Sequence, residues 1–190
     1  MRPARPGHRA VGALLRRELV TEEDPVTSAL MARVRGVRRR GFISRGEFLA
    51  MCRWKSPRAV HHYRRNDAGS IREASRGALA ARSESGRMEH LLTLHGVSVP
   101  IASAILTLLD PRRYGVLDIR AWQMLYSMRG VDANPAGRGF SVGQWIRYLA
   151  ELRAHARRLG APVRAIEYTL FLCHRKRQRG SLYDRPRARR

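Results

Sequence analysis

"LHGVSVPIA", Leu94 to Ala102, is the stretch on which the fold turns. Two apolar runs, Met88 to Leu94 and Val99 to Leu109, flank the four residues His95-Gly96-Val97-Ser98. A single buried helix has no use for a glycine there, because glycine costs about 1 kcal/mol relative to alanine in a helix interior. Gly96 can instead take the positive φ of a sharp reversal, and Ser98 can cap the next helix. The pattern predicts two helices joined by a tight turn. Free N–H groups around Val97 to Pro100 would then face outward with the positive end of the helix dipole, a setting for a DNA phosphate. The small residues Ala102, Ser103 and Ala104 let the two helices approach closely. A plain αα-hairpin with no ligand fits the same residues.

Working outward, helical periodicity runs through nearly the whole chain, and no segment shows sustained strand alternation. Helices are expected at 8–20, 26–36, 45–54, 57–66, 71–82, 86–94, 99–109, 119–128, 142–159 and 163–175. Ser44 with Glu47, Ser70 with Glu73 and Ser141 with Gln144 have the spacing of capping boxes. Pro25, Pro57 and Pro162 fall where a first helical turn tolerates proline. The fold class is all-α: one compact multi-helix domain over 8–176, a basic arm over 1–7 and a basic tail over 177–190. Both ends are poor in apolar residues and suit either phosphate contact or simple solvation. The longest internal loop is Gly130 to Phe140.

Composition narrows the partners. Hydrophobic residues make up 44% of 190, enough for a core, and no run approaches a membrane span or a secretion signal. Cys52 and Cys173 are too few for a disulfide framework or an iron–sulfur cluster and sit in apolar patterns, as buried thiols do. Lys+Arg number 38 against 15 Asp+Glu, a net charge of +23. Such an excess points to a polyanion, nucleic acid being the commonest, in a cytoplasmic chain with no membrane or protein partner. Only Lys55 and Lys176 are lysines; arginine carries the rest, by bidentate phosphate recognition or by codon bias.

After the second hairpin helix comes "DPRRYGVLDIRAW". Ser98 to Leu109 carries the chain roughly 18 Å away at ~1.5 Å per residue. Residues 110–117 can span about 26 Å at ~3.3 Å each, so Asp118 can return to the mouth of the hairpin. There it would put a carboxylate beside a phosphate-binding turn. It would also serve as a plain N-cap for helix 119–128.

Leu94-His95-Gly96-Val97-Ser98, Ala102 and "VLDIRAW" together resemble the helix-hairpin-helix and Gly/Pro-loop-Asp motif of the HhH-GPD superfamily of base-excision DNA glycosylases. That family's hairpin runs Leu-Pro-Gly-Val-Gly. The interval from Pro100 to Asp118, 118 − 100 = 18 residues, matches its endonuclease-III-like members, and "AIEYTLFLCHRKR" resembles their last core helix. The likeness is specific over 88–128. It implies double-stranded DNA as the partner, a nucleoid-associated location and a flipped-out nucleotide, with Asp118 as the catalytic carboxylate that stabilises positive charge on the sugar or orients water. It also implies His95, Gly96, Val97, Ser98 and Pro100 as the DNA-binding hairpin.

Three departures shape the expected chemistry. Pro100 stands where bifunctional members carry a Schiff-base lysine, which implies a monofunctional, hydrolytic enzyme that leaves an abasic site, with no cofactor or metal. Ser98 replaces the second hairpin glycine. The stretch between helix 45–54 and the hairpin is short, implying a trimmed helical barrel and an atypical pocket. By the same resemblance "CRWKSPRAVHHYRRN" (52–66) lies near the base pocket and supplies a pocket or wedge. Trp54 would stack on a base, Lys55 and Arg58 would grip phosphates, and His62 or Tyr63 would line the pocket; a core tryptophan and a solvated basic face are the alternatives. The adjacent His61 and His62 lack metal-ligand spacing. Trp122 with Ile119, Leu125 and Tyr126, and Trp145 with Tyr148 and Leu149, form core stripes. A non-catalytic DNA-binding module competes with the enzyme, and a lyase using Lys55 in place of the missing hairpin lysine stands third.

Overall fold

A computed structural model describes residues 6–178, and these are all-α, with no strand among them. The helices are α1 (Pro6–Glu18), α2 (Pro25–Val34), α3 (Val37–Arg40), α4 (Arg45–Lys55), α5 (Val60–Tyr63), α6 (Ala68–Ala80), α7 (Glu84–Leu92), α8 (Val99–Leu109), α9 (Ile119–Ser127), α10 (Val142–Leu159) and α11 (Val163–Arg177). No helix among them is long and apolar enough to cross a membrane. Most of the basic arm and tail lies outside the described residues.

The expected bounds of α8 and α10 are met. Ser141 and Gln144 close a reciprocal capping box at the start of α10, and Gly160 ends it in the left-handed conformation. Ser44 and Glu47 form the box that starts α4. The third box is not formed. Asp67, not Ser70, caps α6, accepting the Ser70 N–H at 2.9 Å, so the helix starts three residues earlier than expected. A carboxylate at the positive end of the dipole outcompetes a hydroxyl one turn inside. The helix expected over 57–66 is also cut short, to a 3₁₀ turn at Pro57–Ala59 followed by α5. Proline after Ser56 drives that residue out of the helical region, to φ −150°.

α8 is the centre. Every residue from Val99 to Leu108 except Pro100 is buried, and α2, α4 and α7 pack around the helix. α9 packs on α11, which also meets α10 and α1. Trp122, Trp145 and Tyr148 are fully buried, as the stripes implied, whereas Tyr126 is 36% exposed and leaves its stripe. Both cysteines are buried free thiols, and burial pushes the Cys52 thiol up, away from reactivity.

Candidate functional site

The hairpin turn is built as its sequence implies at Gly96, where φ is +77°. A Cβ there would lie 2.6 Å from the His62 Cβ and 3.1 Å from the Tyr63 ring. Asn66, 3% exposed, holds the turn: its side chain accepts the His95 N–H at 2.8 Å and donates to the His95 carbonyl at 3.0 Å. The outward-facing donors are fewer than expected. The Val97 N–H donates to the Leu94 carbonyl and its side chain is buried, while Pro100 has no N–H. Ser98 and Val99 remain as the backbone donors at the start of α8. Ser98 occupies the N-cap position without a side-chain cap bond, so the Ile101 N–H is also left without a cap, and Pro100 has none to offer.

The loop after α8 brings Asp118 back to this mouth, and the backbone just before it is tied to three helices. The Leu117 N–H donates to the Ser103 hydroxyl of α8 at 2.8 Å, the Val116 N–H to Glu167 of α11 at 3.2 Å, and the Tyr148 hydroxyl of α10 to the Val116 carbonyl at 2.9 Å. Asp118 then does two things. Its Oδ1 caps α9 by accepting the Arg120 N–H at 2.9 Å, and its Oδ2 accepts from the Lys55 ammonium at 2.5 Å. The two side chains are 16% and 17% exposed. Burial alone would raise the Asp118 carboxyl, but the Lys55 charge and hydrogen bond, with the Arg120 N–H, outweigh it and hold the group below its ordinary value of 3.8.

Lys55 is therefore an ion-pair partner of Asp118, not an outward phosphate grip, because it ends α4 on the side facing the start of α9. Asp118 and Lys55 line two cavities. One, of about 660 Å³, runs past Gly96, Ser98 and Pro100 to the loop residues Gly137 to Phe140. The other, of about 380 Å³, has walls that include Trp54, Tyr168, Phe171 and Arg164. Its size is in the ordinary range for a small-molecule site, ~300–1,000 Å³.

The other expected pocket residues divide. Trp54 lines the second cavity with its indole N–H donated to Thr27 at 2.9 Å, which fixes the ring's edge. Tyr63 is buried beneath the hairpin groove and forms part of its floor. His62 is exposed, with its ring 3.9 Å from that of His61, and Arg58 is exposed on the 3₁₀ turn.

Arg164, Glu167, Tyr168 and Phe171 carry the second cavity's far wall, and sequence reasoning did not single them out. Arg164 makes two hydrogen bonds to Glu23, at 2.6 and 2.9 Å, a further one to Glu167, and lies over the Tyr168 and Trp54 rings at 4.7 and 5.7 Å. Burial pushes the Glu167 carboxyl up, against the pull of Arg164. The only local trace is the helical spacing of residues 164, 168, 171 and 175 on α11, which puts them on one face without saying what that face meets.

Fold and site together define an all-α protein with a glycine-turn hairpin opening onto a Lys–Asp pair between two cavities. No protein-family model, curated protein or solved structure matches the chain.

Proposed function

We propose that the protein is a DNA glycosylase that hydrolyses the N-glycosidic bond of a flipped-out modified, damaged or mismatched base in duplex DNA. The observation that carries this reading is the position of Asp118, shared by the hairpin groove and the aromatic-walled cavity. A backbone lying along the groove would place a phosphate at Ser98 and Val99. A nucleotide rotated out of the stack would enter the second cavity, with its sugar at the carboxylate. Positive charge building on that sugar as the bond breaks is stabilised by Asp118, which is ionised at neutral pH. The net charge of +23 suits a polyanionic substrate. Incubation with duplexes carrying a panel of altered bases, decorated cytosines of phage type included, followed by alkali at abasic sites, tests the reading. Base release by the wild type and none by Asp118→Asn supports it; no release from any duplex leaves a DNA-binding module.

The Lys55 contact favours a second reading of the chemical step. An ammonium 2.5 Å from Asp118 offsets the negative charge that the sugar needs, so hydrolysis requires Lys55 to move onto a phosphate. If Lys55 instead gives up a proton to solvent, its neutral nitrogen can attack C1′ while the base departs with the bonding pair and takes up a proton from water. Borohydride separates the two: a trapped protein–DNA adduct that Lys55→Ala abolishes identifies the lyase route, and base release without an adduct identifies hydrolysis.

A further inference from the structure

Away from this site, two imidazoles and a carboxylate meet where α1 crosses α10. His8 Nδ1 lies 2.7 Å from Glu151 Oε1, and His155 Nε2 lies 3.0 Å from the same oxygen. The rings are stacked, with centroids 4.0 Å apart and planes 18° from parallel. Glu151 and His155 are i and i+4 on α10 and so share a face; His8 comes from the other end of the chain. His155 is 1% exposed and His8 9%. The approach of α1 is fixed independently, since a Cβ on Gly7 would lie 2.1 Å from the Arg129 carbonyl oxygen.

We infer that His8, Glu151 and His155 bind a divalent transition-metal cation of the zinc type, which clamps the N-terminal helix to α10. One donor atom from each residue lies within 4.8 Å of the others. Zinc bonds of about 2.1 Å set tetrahedral donors about 3.4 Å apart, so metal entry moves the Glu151 oxygen about half an ångström from each nitrogen and turns the stacked rings until both nitrogens face one ion. Two neutral imidazoles and one carboxylate are a borderline-soft set that suits zinc over magnesium or calcium. Held by hydrogen bonds alone, both ring nitrogens must carry a proton directed at one oxygen; a single cation takes the place of both protons. Glu151 also borders a cavity of about 460 Å³ with Asp132 and Gln144, which leaves room for water beside the carboxylate.

Titration of the full chain with Zn²⁺, and with Co²⁺ followed by its visible absorption, tests the site. The expected result is one high-affinity equivalent with a nitrogen–oxygen cobalt spectrum lacking thiolate charge transfer. A melting temperature raised by several degrees at saturating Zn²⁺ should accompany it. His8→Asn and Glu151→Gln should each weaken binding by about tenfold or more. His8 lies in the first turn of α1 and is less enclosed than His155, so its variant remains informative even if a change at His155 unfolds the protein. No uptake by the wild type, or uptake that both variants leave unchanged, overturns the assignment. Neither outcome bears on base release, which depends on a separate part of the molecule.

Discussion

Asp118 combines two roles that substitution can separate. Asparagine caps a helix about as well as aspartate, so Asp118→Asn keeps the start of α9 but removes the charge facing the cavities. We predict a fall in base release of about 10² or more and a loss of about 1–3 kcal/mol in stability as Lys55 is left without its partner. Single-turnover assays and denaturant melts read the two effects apart. The depressed carboxyl also fixes a pH dependence. Its stabilisation is complete above the ordinary carboxylate value of 3.8 and is lost as acid titrates the folded group below it. Thermal melts taken in acid should show that decline in the wild type and a weaker one in Asp118→Asn. At this scale the sequence was informative where backbone constraint sets the position, as for Gly96 and Asp118. It placed Lys55 near the pocket but not on Asp118, because no local pattern marks a contact between side chains 63 positions apart.

The hairpin is an element whose parts support one another, and its stability rests on the turn. Gly96→Ala puts a Cβ in the left-handed region and into the His62 Cβ, and we expect a cost of about 1–3 kcal/mol with weakened DNA binding. Asn66→Ala removes both bonds to His95 and should cost about 1–3 kcal/mol through the unpaired groups it leaves. Amide exchange at residues 94–99 should speed up in both variants while α10 stays protected. Element bounds were legible where a local stop or start dominates: a glycine turn before α8, a reciprocal capping box before α10. They were missed at 57–70, where a proline break and a competing carboxylate cap lie within a few residues of each other. The wall on α11 is not legible in the sequence, because buried charges such as Arg164 and Glu167 make sense only with Glu23 and the Val116 N–H in place.

Across the whole molecule, charge and architecture divide the work. The all-α class follows from periodicity, and under the proposed function the excess of arginine would set the strength of DNA binding without choosing its sequence. DNA binding should weaken steeply with salt, by about 10³ between 50 and 200 mM if some six phosphates are contacted; salt-insensitive binding would contradict the electrostatic account. The cavity walls, assembled from α2, α4, the loop before α9 and α11, are a property of packing and not of any one segment. The central claim is that Asp118 performs chemistry on a nucleotide extruded from duplex DNA. Its most direct test is release of the base itself, followed chromatographically in single turnovers of wild type and Asp118→Asn on the same altered duplex. The account predicts free base from the wild type and, from a folded, DNA-binding variant, a rate at least about 10² lower. Equal rates, or no free base from any duplex in the panel, would contradict it.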